Sequence, residues 1–398
     1  MRDLQEHHHA GKPAPVAPPG DRAGYLFGNV PKVRRQLYHP RIFSVNMLFS
    51  PRMATIKDVA RLAGVGLGTA SRVVSGKGSV APATAKRVHR AIKKLNFRPS
   101  HAARSLLSGS TQMIGVYIPI LKGTFYTPIL QTIDAELRAG GRHMVVAFGH
   151  GSADERRQAI EGVRFLINRD CDGLIVMSNA LLEEDIVALG REQPNIVVLN
   201  RIFQSIREQC FSADHAQGGV AAAKALLQHH HRHFAVIAGP SSAPDNVARL
   251  KGFMNELRKH RIDPHSVRTI ESDFSPEGGW VSAKALLASK HRFTALFCAN
   301  DEMAVGVLSH FQQAGLAVPQ EVSVLGYDDT HSAEYSAPRL TSVHIPMREV
   351  TANGLNCLLN RCYDSLLPVE REFPINVVWR ASVGLPPEAH PPEASAAG

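Results

Sequence analysis

The 398-residue chain is 44% hydrophobic, 20% charged and 6% aromatic, which fits folded domains with a sizeable core and argues against a disordered chain. No apolar run approaches the roughly 18 residues of a membrane span, and five cysteines without a CxxC pair argue against a disulfide scaffold or zinc ribbon and fit a reducing cytosol. The net charge of +10 is unevenly placed: residues 53–112 carry 11 Lys+Arg against Asp58 alone, whereas residues 113–398 carry 26 Lys+Arg against 31 Asp+Glu. A small cationic module, suited to a polyanion such as nucleic acid, precedes a mildly acidic body.

Residues 1–52 read as linker, with Lys12-Pro13-Ala14-Pro15 and Pro18-Pro19-Gly20 as typical text. The stretch Ile42–Phe49 is too short and interrupted for a secretory signal. Met47 and Met53 offer later starts, and the native product is expected to begin near Met53.

Three short amphipathic patterns follow. Ile56, Val59, Ala60 and Ala63 recur at i, i+3, i+4 and i+7, behind a Thr55–Asp58 capping box, and Gly64 stops the helix. A second pattern, Ala70, Val73 and Val74, begins after only Gly64-Val65-Gly66. A third, Val88, Ala91, Ile92 and Leu95, enters at Pro82 and stops before Pro99. This is a helix-turn-helix covered by a third helix. With Ala70, Val73 and Val74 inward, Leu67, Gly68, Ser71 and Arg72 face outward at the end that meets base edges in the major groove. Arg72 can reach a base or a phosphate, and Thr69 and Ser71 can donate to phosphate oxygens. Thr55, Lys57 and Lys77 complete the candidate DNA contacts here, and Arg61, Lys86 and Arg87 add backbone charge.

Ser100 then caps a short helix ending at Gly109, with Ala103 as a small contact and Leu106 as a candidate minor-groove wedge. The alternative is that Leu106 and Leu107 pack on the next domain. From Ile114 onward, strand-like runs (Ile114–Pro119, Met144–Phe148, Gly173–Met177, Ile196–Leu199, Phe234–Ala238, Ala295–Cys298, Val322–Gly326, Thr341–Ile345, Val377–Val383) alternate with helical stretches. The fold class is an all-α helix-turn-helix headpiece and hinge helix joined to an α/β core. The strands are too many for one comfortable sheet, so two lobes are expected.

The text Thr55-Ile56-Lys57-Asp58-Val59-Ala60-Arg61-Leu62-Ala63-Gly64-Val65, then Thr69-Ala70-Ser71-Arg72-Val73-Val74, resembles the lactose/galactose-repressor (LacI/GalR) family of bacterial transcription regulators. The likeness continues through Leu95-Asn96-Phe97-Arg98-Pro99, Gly326-Tyr327-Asp328-Asp329 and Pro338-Arg339-Leu340-Thr341-Ser342-Val343, spanning about Met53 to Pro386. It implies a periplasmic-binding-protein-like core, a homodimer on a near-palindromic operator, a small-molecule effector (a sugar or glycoside), and a cytoplasmic, nucleoid-associated location. The expected division is 1–52 leader, 53–99 head, 100–110 hinge helix, 111–386 core and 387–398 tail. Gly66 and Ala81 depart from the family's hydroxyl residues, Leu67 and Gly68 stand at its base-reading positions, and the tail lacks leucine heptads.

Effector candidates fall at strand ends, where ligands of such folds sit: Phe125, Tyr126, Asn179, Asn200, Arg201, Arg249, Phe274, Asn300 and Asp328. Arg, Asn and Asp beside an aromatic face suit vicinal hydroxyls and a sugar ring. The resemblance assigns Arg249, Asn300 and Asp328 as effector contacts and Phe125 and Phe274 as walls. Asn300 and Asp328 have helix capping as their alternative, Arg201 has pairing with Asp214 at the lobe hinge as its own, and Trp280 is expected to pack. His229-His230-His231-Arg232-His233 sits at a helix-to-strand turn, where exposure is expected rather than a metal site. Cys357 and Cys362 are expected to pack in the core. No HExxH, Walker loop, GxSxG or GxGxxG implies a cofactor or a catalytic site. A solute-binding protein would carry an export signal and lack the basic head; an enzyme would need a nucleophile–base pair at the strand ends.

Overall fold

A computed structural model describes residues 54–76, 78–98, 109–150 and 154–387. Three helices form the head: α1 (Ile56–Ala63), α2 (Leu67–Ser75) and α3 (Pro82–Lys94). The expected capping box is present, with the Asp58 amide donating to Thr55 Oγ1 at 3.4 Å and the Thr55 amide donating to Asp58 Oδ2 at 2.9 Å. Gly64 closes α1 at φ +62°, the left-handed conformation that suits glycine. Val59, Ala63, Val88, Ala91 and Phe97 make the small core, with Val73 and Val74 packed against it.

Two sheets make the body. The first has order β2-β1-β3-β4-β5, all parallel: β1 (Met113–Ile118), β2 (His143–Phe148), β3 (Gly173–Val176), β4 (Ile196–Leu199) and β5 (Cys210–Phe211). Its helices are α4 (Tyr126–Ala139), α5 (Glu155–Ile167) and α6 (Glu183–Glu192). The second sheet has order β11-β10-β9-β8-β6-β7: β6 (Phe234–Ala238), β7 (Arg268–Glu271), β8 (Ala295–Cys298), β9 (Ser323–Asp328), β10 (Thr341–His344) and β11 (Asn376–Val378). Only the β10–β11 pair is antiparallel. Helices α7 (His215–Gln228), α8 (Pro244–Lys259), α9 (Pro276–Ala288), α10 (Asp301–Gln313) and α11 (His331–Tyr335) accompany it. After β10 the chain returns to the first lobe as α12 (Met347–Tyr363), which packs on β3, β4 and β5, then crosses back to β11.

Sequence patterning misses β5 and β7. The first is two residues long, and the second is an edge strand, Arg-Thr-Ile-Glu, exposed at three of its four positions. The run expected over Val377–Val383 stops being strand at Val378. Beyond it the Ser382 hydroxyl takes over, accepting from the Thr341 amide at 2.8 Å and donating to the Val324 carbonyl at 2.6 Å.

Helices α7 and α8 meet backbone to backbone. A Cβ on Gly219 would collide with the Arg249 carbonyl, and one on Gly252 with the Ala216 carbonyl. This close approach sets the depth of the α8 residue Arg249. Gly219→Ala is expected to lower stability by about 1–3 kcal/mol, since backbone cannot move aside as a side chain can; the midpoint of urea unfolding checks it.

Candidate nucleic-acid interface and effector cleft

On the head, Leu67, Gly68, Arg72, Thr55 and Lys57 are exposed, Thr69 and Ser71 are half-buried, and Ala70 is buried. This is the orientation the pattern requires. Arg72 folds back along its own helix, its Nε donating to the Gly68 carbonyl at 3.3 Å. Thr55 is engaged in the α1 cap. Lys77, Ser100, Ala103 and Leu106, and with them the hinge helix, lie outside the described residues.

Between the lobes lies a cavity of about 410 Å³ at the carboxyl ends of the strands. Eight of the nine candidates line it: Phe125, Tyr126, Asn179, Asn200, Arg249, Phe274, Asn300 and Asp328. Arg201 does not. Its guanidinium stacks on Phe203 at 4.5 Å and donates to the carbonyls of Ser178, Asn179 and Leu181. Burial lowers its pKa. Nor does it pair with Asp214, which instead caps α7 by accepting from the Ala216 and Gln217 amides, each at 3.0 Å.

Arg249 is 2% exposed. Its guanidinium lies 3.6 Å from the Tyr327 ring centroid, donates to the Ala299 carbonyl, and sits 3.6 Å from Asp245. Burial alone would lower its pKa, but Tyr327, Asp328 and Asp245 outweigh that and raise it. Its Nε is buried without a hydrogen-bond partner among the described residues, an orphan donor of the kind that calls for explanation. Asp328 faces the same cavity from the end of β9, at φ +101°. Burial pushes its carboxyl well above the usual range, opposed by Arg249. Phe274, at φ +64°, sets its ring against Gly239, where any Cβ would strike it. Phe125 meets Tyr126 edge to face at 5.2 Å. Asn300 fills the capping alternative while still lining the cavity: it accepts from the Met303 amide and donates to the Phe274 carbonyl, each at 3.0 Å. Trp280 packs away from the cavity, edge-on to His310 at 4.6 Å.

Sequence patterning misses several participants. Asp245 accepts from Asn179 Nδ2 across the cleft at 3.1 Å. Glu302, on the second lobe, accepts from the Thr124 amide at 2.9 Å and from the Thr124 hydroxyl, on the first. His215 joins Asn200 Oδ1 (2.8 Å) to the Tyr327 hydroxyl (3.0 Å) behind the cavity. The signal available for Asp245 is its place in the first turn of a helix after a strand. His215 follows Asp214 with no pattern to show that it faces inward.

The histidine run also differs from expectation. His231 is fully buried, bonding Thr294 Oγ1 at 2.9 Å and both Ser323 Oγ and the Gly384 carbonyl at 3.0 Å. Among the described residues no group of three His, Cys, Asp or Glu side chains is placed to hold a metal ion. Cys357 and Cys362 are half-buried on α12 and pack against the core.

A tri-helical basic head carried on a two-lobed α/β body with a polar, aromatic-walled cleft defines a ligand-sensing DNA-binding protein. Residues 55–100 match the family described as bacterial regulatory proteins, lacI family, and residues 223–383 match the periplasmic binding protein-like domain. The transcriptional repressor PurR of Vibrio atlanticus is 33% identical over 314 residues, 78% of this chain and 93% of that one. A LacI-family regulator from Burkholderia phymatum is 52% identical, with TM-score 0.67 over 69% of this chain and 99% of the other. The lac repressor dimer bound to operator and the anti-inducer ONPF is 26% identical (TM-score 0.72, 83% and 99% covered), and the CelR–cellobiose complex 28% (TM-score 0.59, 83% and 99%). The chain belongs to the LacI family of bacterial regulatory proteins.

Burial lowers the pKa of both His215 and His231 to about 4. Each imidazole therefore binds a proton more readily in the unfolded chain, and acidification favours unfolding. Stability is expected to be full above pH 6.5 and to fall as pH drops from there toward about 4. Urea midpoints across that range check it, and His231→Gln should make the decline shallower.

Proposed function

We propose that the chain is an effector-controlled, sequence-specific transcription regulator, acting as a repressor released by a sugar or glycoside. The observation that carries the effector half is the cavity itself: an orphan Arg249 Nε–H and the Asp328 carboxyl beside Phe125 and Phe274. A donor and an acceptor next to flat apolar faces suit vicinal hydroxyls on a ring. The lac repressor on its operator and CelR with cellobiose support the reading by likeness. Arg249, Asn300 and Asp328 are the proposed effector contacts, with Phe125, Tyr126, Phe274, Asn179 and Asn200 around them.

On this reading residues 53–99 form the DNA-binding head, 100–110 the hinge helix and 111–386 the effector and dimerisation core, with 1–52 and 387–398 as flanking segments. Leu67, Gly68, Thr69, Ser71 and Arg72 contact the operator, with Thr55, Lys57, Lys77, Ser100, Ala103 and Leu106 completing the interface. Two subunits present two heads to a near-palindromic duplex. Effector binding biases one two-state arrangement of the lobes, and the bias reaches DNA through the hinge. The protein works in the cytoplasm, without catalysis; the curated relatives matched are transcriptional regulators, and no helix among the described residues is long and apolar enough to cross a membrane.

A thermal-shift panel of sugars and purines identifies the effector, since ligand at about 100 times its Kd adds about 2.7 kcal/mol. With that ligand, Arg249→Lys, which keeps charge but loses the planar fork, is expected to weaken effector binding by about tenfold or more and to leave operator affinity in gel shifts unchanged. Retained effector response would refute the assignment.

A further inference from the structure

Five helices of the body begin at the cleft: α4, α5, α8, α9 and α10 bring Tyr126, Glu155, Asp245, Pro276 and Glu302 to its lining. The unpaired amides of a helix amino end are worth about half a positive charge, roughly +2.5 for the set, and such ends ordinarily gather phosphate or carboxylate groups. In this chain the ends are answered from within. Glu155 stands in the first turn of α5, Asp245 in that of α8, and Asp301 and Glu302 in that of α10. At α9, Glu277 lies in the first turn, and Asp273 just ahead of it accepts from the Ser275 amide at 3.0 Å and from the Ser275 hydroxyl at 2.6 Å. Of the five, α4 alone has no acid in its first turn.

The side-chain cations at the cleft are committed as well. Lys122 meets Glu277 at 3.5 Å. The guanidinium of Arg249 donates to the Ala299 carbonyl and faces Asp245 at 3.6 Å, so its fork is not open to grip a phosphate or carboxylate in two-pronged fashion. What it leaves over is the single orphan Nε–H. The lining as a whole sets five acids, Glu155, Asp245, Asp273, Glu302 and Asp328, against Lys122 and Arg249, formally −3. With Asp328 held neutral by burial the balance is still −2. The positive helix ends are cancelled, and no surplus is left for an anion.

An anionic group entering this cleft gives up its water without a free counter-charge. Hydroxyl groups fare differently. Each can donate to a carboxylate oxygen and accept from the Arg249 Nε–H. We propose that the cleft admits an uncharged polyhydroxylated effector and rejects its phosphorylated and carboxylated forms, with the acids at the helix amino ends setting that preference. This rests on the reading of the cleft as a sugar site and narrows it by charge.

The test titrates the full chain at fixed ionic strength, by thermal shift and then calorimetry, with matched sugars. Glucose, galactose, mannose and ribose are set beside their terminal phosphate esters, the hexoses also beside their uronates, and cellobiose and lactose beside their aldonic acids. Binding is scored at the cleft where Arg249→Lys weakens it. A neutral member is expected to bind, and its anionic partner to bind about tenfold more weakly or worse. Glu155 and Asp273 are both exposed, one on each lobe. Glu155→Gln/Asp273→Asn keeps an acceptor oxygen at each position but removes both charges, and should narrow the gap by about tenfold at low salt. An anionic partner that binds as tightly as its neutral sugar, or more tightly, overturns the proposal and leaves the sugar reading standing. A gap that the double variant does not narrow overturns it too, by assigning the discrimination to shape. If no member of either charge binds, the sugar reading falls and the proposal with it.

Discussion

The architecture of the cleft depends on one buried cation. A guanidinium out of water is costly unless it is paired and hydrogen-bonded, and Arg249 meets that condition with groups from three places. The Tyr327 ring comes from β9, the Ala299 carbonyl from the end of β8, and Asp245 from the first turn of its own helix. The Gly219–Gly252 crossing of α7 on α8 holds the helix at the necessary depth. Once Arg249 is placed, Asp328 follows Tyr327 into the cavity, and its carboxyl resists ionisation because it is buried, with Asp301, Asp245 and Glu302 adding to that resistance. The polar floor is thus a consequence of satisfying one charge.

Across the cleft the lobes are joined by a different kind of bond. Lys122 meets Glu277 at 3.5 Å with both side chains exposed, Thr124 meets Glu302, and Asn179 meets Asp245. The exposed Lys122–Glu277 pair contributes about 0–1 kcal/mol, and the half-buried hydrogen bonds to the Glu302 and Asp245 carboxylates about 1.5–3 kcal/mol each. The cohesion within each lobe comes instead from buried aliphatic side chains such as Val116 and Ile175 in one and Leu296 and Val324 in the other. The cores are continuous at the hinge, where one buried cluster runs from Val116 and Ile175 through Phe211 and Ala222 to Val236 and Leu325, so a ligand chooses the relative setting of the lobes chiefly at the open side, where they meet by polar contacts. His215 adds a buried link, from Asn200 to Tyr327, so a change at the first lobe's wall is felt beneath Arg249.

Periodicity found what buried apolar runs can reveal. The head helices, seven central strands and the α/β alternation follow from patterns such as Val59–Ala63 and Phe234–Ala238, where one face or both must be dry. It missed β7, because an edge strand with polar neighbours has no such run. The cleft residues were legible at strand ends because topology places ligands there. Arg201 failed because the chain turns at Asn200 (φ +63°), directly after β4 ends at Leu199, which sends the guanidinium to three carbonyls instead of the cavity. His231 failed for the opposite reason: a run of polar letters hid one side chain whose three partners, Thr294, Ser323 and Gly384, come from distant sequence.

The head carries a constraint of its own. Helix α2 begins at Gly66 without a side-chain cap, and its second residue is Gly68. Both choices cost helix stability. They leave the amino end of α2 narrow, with Leu67 47% exposed as its foremost side chain. A helix end with bare amides and little bulk can approach phosphate closely, while an apolar tip distinguishes a thymine methyl from the polar edge of cytosine. On the proposed reading, base choice at this position rests on shape and one methyl contact. Arg72, held on the Gly68 carbonyl, must leave that hydrogen bond to reach DNA, so its net benefit there is only the difference between the two.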